Sequence, residues 1–185
     1  LIANVTHRRL REKIRTGGTS TLRETTKHQK IEDASFKLFD HLGWNGMAMC
    51  EFKVNNKTGE FWFIEVNPRM WGSIPAAISS GIEFPYIAWL SANFGTNAAL
   101  NFVKTCEPKI PWIGRWLLGD IFLFGSSLLR LQLIEAFRIL FLCKSNSVDD
   151  FYFDDPLPFF GQVFLYLRNA IAKRSLNPSE KGMVK

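Results

Sequence analysis

Two apolar, β-forming runs, Met47 to Val54 and Glu60 to Val66, are separated by the polar segment Asn55-Asn56-Lys57-Thr58-Gly59, and this spacing commits the chain to a β-hairpin at that point. The second run ends in Glu65-Val66-Asn67-Pro68-Arg69, followed by Trp71-Gly72-Ser73. Pairing Val54 with Glu60 across the loop sets Met49 opposite Glu65. Glu51 then lies one pleat along on the same side, because side chains alternate with period two. Asn67 continues that face, and Arg69 follows where the strand gives way to a turn.

Two carboxylates about 4 Å apart at an effective dielectric of about 20 repel by roughly 4 kcal/mol, so such a face needs a proton, a cation or solvent. A hard cation meets that need. Carboxylate and carboxamide oxygens without thiol or imidazole favour Mg²⁺ or Mn²⁺ over zinc, and Mg²⁺ completes its octahedron with water and phosphate oxygens. The planar, permanently charged fork of Arg69 suits a phosphate or acyl phosphate beyond the metal. Against this stands the plain alternative: a glutamate on a strand usually faces solvent, and Asn-Pro is a common turn opener.

Upstream, an apolar start leads into His7-Arg8-Arg9-Leu10-Arg11, read as a strand running into a basic segment, and then Thr16-Gly17-Gly18-Thr19-Ser20-Thr21. Backbone N–H groups of a Gly-Gly loop can approach an anion, and Arg9, Arg11 and Arg15 make the surroundings electropositive. The loop suits a phosphate or a substrate carboxylate; the same residues also describe an ordinary turn.

Acid, hairpin, then acid-x-Asn-Pro-Arg, with Gly72-Ser73 following, resembles the C-terminal part of an ATP-grasp domain. The likeness is to the carbamoyl-phosphate synthetase large-chain type and the related carboxylate-amine ligases. It runs from about Leu1 to Phe94, with a weaker echo in Asp154-Asp155-Pro156-Leu157-Pro158. The resemblance implies that Glu51, Glu65 and Asn67 bind the Mg²⁺ ions that bridge ATP phosphates, and that Arg69 stabilises the transferred phosphoryl group. It also implies a cofactor-binding role for Arg9, Gly17, Gly18, Thr19 and Ser20, on the acceptor or phosphate side of the cleft. In such enzymes the lobe carrying the adenine contacts lies upstream, so this chain is expected to hold the metal and phosphoryl-transfer half of a site.

Around the hairpin, helices are expected over Lys30 to Leu42, closed by Gly43; from a Ser73 cap with Pro75 in the first turn; and over Tyr86 to Phe94, ending near Gly95. His28 and His41 read as surface residues of the first helix, and nothing in the sequence pairs His7 with a nucleophile. Cys50, Cys106 and Cys143 lack paired spacing, and Cys50 is expected to point away from the carboxylate face. Sparse, reduced thiols and no visible signal peptide suggest a cytoplasmic setting.

The net charge of +6 invites a nucleic-acid reading, but the basic residues are dispersed outside His7 to Arg15 and no nucleic-acid-binding motif is present, so nucleic acid is not expected as a partner. Between Pro111 and Cys143 the chain is strongly apolar, yet Arg115, Asp120, Arg130, Glu135 and Arg138 interrupt it well short of the roughly 18 to 20 residues a membrane span needs. Two uses fit this tract: a buried or dimer-forming helical appendage, or a helix lying on a membrane surface. Phe151 to Phe160 reads as irregular, Val163 to Ala172 as a short helix, and Asp149, Asp150, Asp154 and Asp155 as loop and cap residues.

The expected architecture is α+β: residues 1–95 as an ATP-grasp C-terminal subdomain, an antiparallel sheet with packed helices, and residues 96–185 as a helical appendage and tail. The implied activity is an ATP- and Mg²⁺-dependent ligation of a small carboxylate to an amine. The alternatives are a non-catalytic binding or assembly module, homo-oligomeric or otherwise, and a membrane-associated biosynthetic ligase, peripheral at the bilayer.

Overall fold

A computed structural model of the chain describes residues 1–12, 20–141 and 144–173, and the fold is mixed α and β. In chain order the elements are β1 (Thr6–Glu12), β2 (Ser20–Thr26), α1 (Gln29–His41), β3 (Met49–Val54), β4 (Phe61–Asn67), α2 (Ile74–Ser79), α3 (Phe84–Phe94), α4 (Thr96–Val103), β5 (Ile113–Arg115), α5 (Leu117–Leu129), α6 (Leu133–Phe141), β6 (Ser147–Val148) and α7 (Leu157–Lys173). They group into two compact units. The first comprises residues 1–115 and 144–147, the second residues 116–143 and 148–185.

In the first unit β2 is the central strand, antiparallel to β1 on one side and to β5 on the other, in a sheet of order β1-β2-β5-β6. The basic segment after the apolar start is β1 itself, paired from Thr6↔Thr26 to Glu12↔Ser20. The expected division at residue 95 falls inside this unit. The reason is packing: α4 lies against α3, and Ile113–Arg115, expected within the helical appendage of residues 96–185, instead pairs with Leu22–Glu24 of β2. Apolar side chains from Ile82, Ile87 and Ala99 form the buried core there, joined by Phe84, Leu90 and Phe102.

Helix boundaries follow the expected stop signals. α1 closes with Gly43 in the left-handed region (φ 56°), its N–H donating to the Asp40 carbonyl and the Trp44 N–H to the Phe39 carbonyl. Gly81 closes α2 the same way, and there a Cβ would also meet the Glu107 carbonyl oxygen at 3.0 Å.

The second unit is helical. α5 packs on α6, and Phe122 of α5 meets Tyr166 of α7 with ring centroids 5.1 Å apart. Asp150 supplies the α5 cap from a distant part of the chain, accepting hydrogen bonds from the backbone N–H groups of Leu117 (2.9 Å) and Leu118 (3.0 Å). Burial pushes its carboxyl above the usual range against the pull of those donors. α7 starts earlier than expected because Pro158 occupies its first turn, where a missing N–H costs nothing. No helix among the described residues is long and apolar enough to cross a membrane.

Candidate functional site

The expected hairpin is present as β3 and β4, with a different register. At the tip Val54 pairs with Phe61, not Glu60, and the ladder runs through Lys53↔Trp62 and Phe52↔Phe63. Continued unbroken, it would set Glu51 opposite Ile64 and send Glu65 to the other face. An irregularity between Glu51 and Phe52, with Ile64 as the extra residue of β4, restores the phase: Glu51 pairs with Glu65, Cys50 with Val66, and Met49 with Asn67. The bulge therefore makes the two carboxylates direct cross-strand neighbours, closer in register than the one-pleat offset expected from the sequence.

The opposite face of the hairpin is apolar and anchors it. Phe52 packs edge-on against Phe61 and Phe63, and Phe61 reaches His28 just ahead of α1. Cys50 lies on this face, hydrogen-bonded to Ser35 of α1, and burial raises its thiol above the usual range.

On the carboxylate face the polar groups form a row. Arg9 Nη2 of β1 donates to Glu51 Oε2 at 2.5 Å, and Arg9 Nη1 reaches Glu12 at 3.5 Å. Across the ladder, Asn67 Nδ2 donates to Glu65 Oε1 at 2.7 Å, and Arg69 Nη2 donates to Asn67 Oδ1 at 3.3 Å. Pro68 sits in the tight turn closed by the Arg69 N–H to the Asn67 carbonyl (2.9 Å). Trp71 is buried edge-on against Phe84 of α3, 5.2 Å between centroids, which fixes where that turn leaves the strand.

The Glu51 and Glu65 carboxylates and the Asn67 carbonyl oxygen share one face, and this donor set fits a hard dication. Among the described residues no three His, Cys, Asp or Glu side chains gather, so water and phosphate oxygens would complete the shell. Arg9 and Arg69 balance the same oxygens from either end. Glu65 and Arg69 are exposed, and exposed ion and polar pairs exchange at little cost.

Ser20, expected in the Gly-Gly loop, is the first residue of β2 and is buried, its hydroxyl 3.4 Å from Arg23 Nη1. Gly17, Gly18 and Thr19 lie outside the described residues. One pairing was not legible in the sequence. His7 Nε2 of β1 and Ser73 Oγ, at the head of α2, lie 3.3 Å apart across 66 positions, so the Ser73 hydroxyl faces the histidine and makes no cap bond.

Burial, with the Arg23 and Arg9 charges adding to it, pulls the His7 pKa from 6.5 down to about 4. The imidazole is neutral at pH 7. Below its unfolded pKa of 6.5 the unfolded chain takes up a proton that the folded chain refuses until about pH 4, so stability is lost as pH falls through that window. Between pH 7 and pH 5 the expected loss is about 2 kcal/mol. Urea midpoints at the two pH values measure it, and His7→Asn should flatten the difference.

Residues 3–106, more than half of the chain, match the family model described as ATP-grasp in the biosynthetic pathway with Ter operon. The chain is also similar to the carbamoyl phosphate synthase large chain of Methanobrevibacter smithii, 38% identical over 76 residues. That stretch is 41% of this chain and 7% of the relative's length. No solved structure matches.

Proposed function

The chain belongs to the ATP-grasp family, and from that premise we propose that it carries the metal-binding and phosphoryl-transfer residues of a ligase that activates a small carboxylate for attack by an amine. The observation that carries this reading is the bulged pairing of Glu51 with Glu65, with Asn67 on the same face and a guanidinium at each end. Glu51, Glu65 and Asn67 would hold Mg²⁺, which would supply positive charge to the ATP phosphates. Arg69 follows the donor row and is placed to neutralise charge that develops on the moving phosphoryl oxygens. Arg9 orients Glu51 from β1.

In the reaction a carboxylate oxygen of the substrate attacks the γ-phosphorus and ADP leaves, giving an acyl phosphate. The amine then attacks the acyl carbon, phosphate leaves, and the amine loses a proton. Catalysis is mostly positioning and electrostatics. The expected result in the intact enzyme is Mg²⁺-dependent ADP release with a cognate carboxylate, and capture of the acyl phosphate as a hydroxamate when hydroxylamine replaces the amine. ADP release without hydroxamate would exclude the acyl phosphate. A non-catalytic assembly module would give neither product across a panel of amino acids and small acids.

A further inference from the structure

The turn between α5 and α6 holds a leucine where its geometry calls for glycine. After α5 ends at Leu129, the Leu131 N–H donates to the Leu128 carbonyl and the Gln132 N–H to the Ser127 carbonyl, both at 2.9 Å. This is the same double closure that ends α1 and α2, and there the left-handed position is filled by Gly43 and Gly81. Leu131 adopts φ 58°, the one positive-φ residue other than glycine among the described residues. A Cβ in that region is strained against the backbone.

Burial does not compensate for the strain. Leu131 is 84% exposed, as is Leu129, with Leu133 at 63% and Ile134 at 73%. Among the α6 side chains that are described, Ala136 and Ile139 pack inward. Arg130 lies within the exposed cluster and Arg138 one turn beyond Ile134, both exposed, with Glu135 as the single acid in this stretch. The result is an exposed apolar corner flanked by guanidinium groups on long stems.

We propose that this corner docks on an anionic phospholipid surface. Leu129, Leu131, Leu133 and Ile134 enter the boundary between headgroups and acyl chains, and Arg130 and Arg138 reach back to headgroup phosphates. Both parts of the surface are then used: hydrocarbon meets hydrocarbon, and the basic rim meets negative charge. Contact of this kind lies on the bilayer and needs no spanning helix; none among the described residues is long and apolar enough to cross a membrane. The inference is independent of the ligase reading.

Flotation of the 185-residue protein with phosphatidylcholine vesicles, with and without phosphatidylserine, tests it. The protein should float with the mixed vesicles, and added salt should release it. Leu131→Gly should weaken partitioning about tenfold, the scale of one leucine withdrawn from hydrocarbon, while its thermal midpoint stays level or rises because the left-handed strain is gone. Leu131→Asn, whose side chain also tolerates that conformation, should weaken binding similarly. Replacing Arg130 and Arg138 together with alanine should cost more than about tenfold on mixed vesicles and little on neutral ones. Failure to float with mixed vesicles, or unchanged binding by Leu131→Gly, would overturn the proposal. So would a concentration-dependent dimer that Leu131→Gly dissolves in the absence of vesicle binding, which would assign the corner to a second copy of the chain.

Discussion

Glu65→Gln is expected to reduce ligase turnover of the intact enzyme by about a hundred- to a thousandfold, the range seen when one preorganised electrostatic contact is removed from an active site. The substitution separates charge from shape. Glutamine keeps an oxygen where Asn67 Nδ2 now donates at 2.7 Å, so the contact between strand and turn is preserved. Glu65 is exposed, and its replacement should leave the unfolding midpoint nearly unchanged. What disappears is one of the two negative charges facing each other across the bulged pair. Turnover and thermal midpoint, measured on the same preparation, decide the point. Equal loss of both would make Glu65 a structural residue, and unchanged turnover would remove it from the site.

Arg69→Lys is expected to lower kcat about a hundredfold with a smaller change in KM. The guanidinium donates through Nη1 to the Met70 carbonyl (3.1 Å) and through Nη2 to Asn67 Oδ1 (3.3 Å), and these two contacts orient its plane beside the donor row. A lysine ammonium supplies the same charge at one point and cannot make both contacts in that geometry. Were Arg69 only a counter-charge for the carboxylates, lysine would restore most of the rate. A loss concentrated in kcat marks a contact made to the transferring group, and a loss confined to KM would mark simple substrate attraction.

Local signals in the sequence carried the reading far. The hairpin, the α1 stop at Gly43, the first-turn Pro75 of α2 and the end of α3 at Gly95 each follow from residues within a few positions of one another. Non-local features were not legible. The Ile64 bulge is invisible in the unbroken apolar run Phe61-Trp62-Phe63-Ile64, which shows no alternation to fix a register, yet it decides which way Glu65 points. β2 reads Ser-Thr-Leu-Arg-Glu-Thr-Thr, with no apolar alternation, because its buried face is built from Thr21, Arg23 and Thr25. Strand β5 is three residues long within an apolar tract and is defined by its partner Leu22–Glu24. The His7 to Ser73 contact brings together residues 66 positions apart.

The apolar tract shows the same division. Its interrupting charges are visible in the sequence, while the strained Leu131 and the long-range Asp150 cap arise only in the folded chain. Gly17, Gly18 and Thr19 of the loop expected to face an anion lie outside the described residues, Ser20 is buried at the start of β2, and the Arg9 guanidinium is engaged with Glu51.

Glu51, Glu65 and Asn67 are proposed to act as one set of hard oxygen donors. That role is tested most directly by Mn²⁺ titration, read by electron paramagnetic resonance in the presence of ATP, on the intact enzyme and on its Glu51→Gln, Glu65→Gln and Asn67→Ala variants. Each substitution is expected to weaken Mn²⁺ binding, and pairing Glu51→Gln with Glu65→Gln to abolish it with the fold retained. Undiminished Mn²⁺ affinity in the doubly substituted protein would contradict that role.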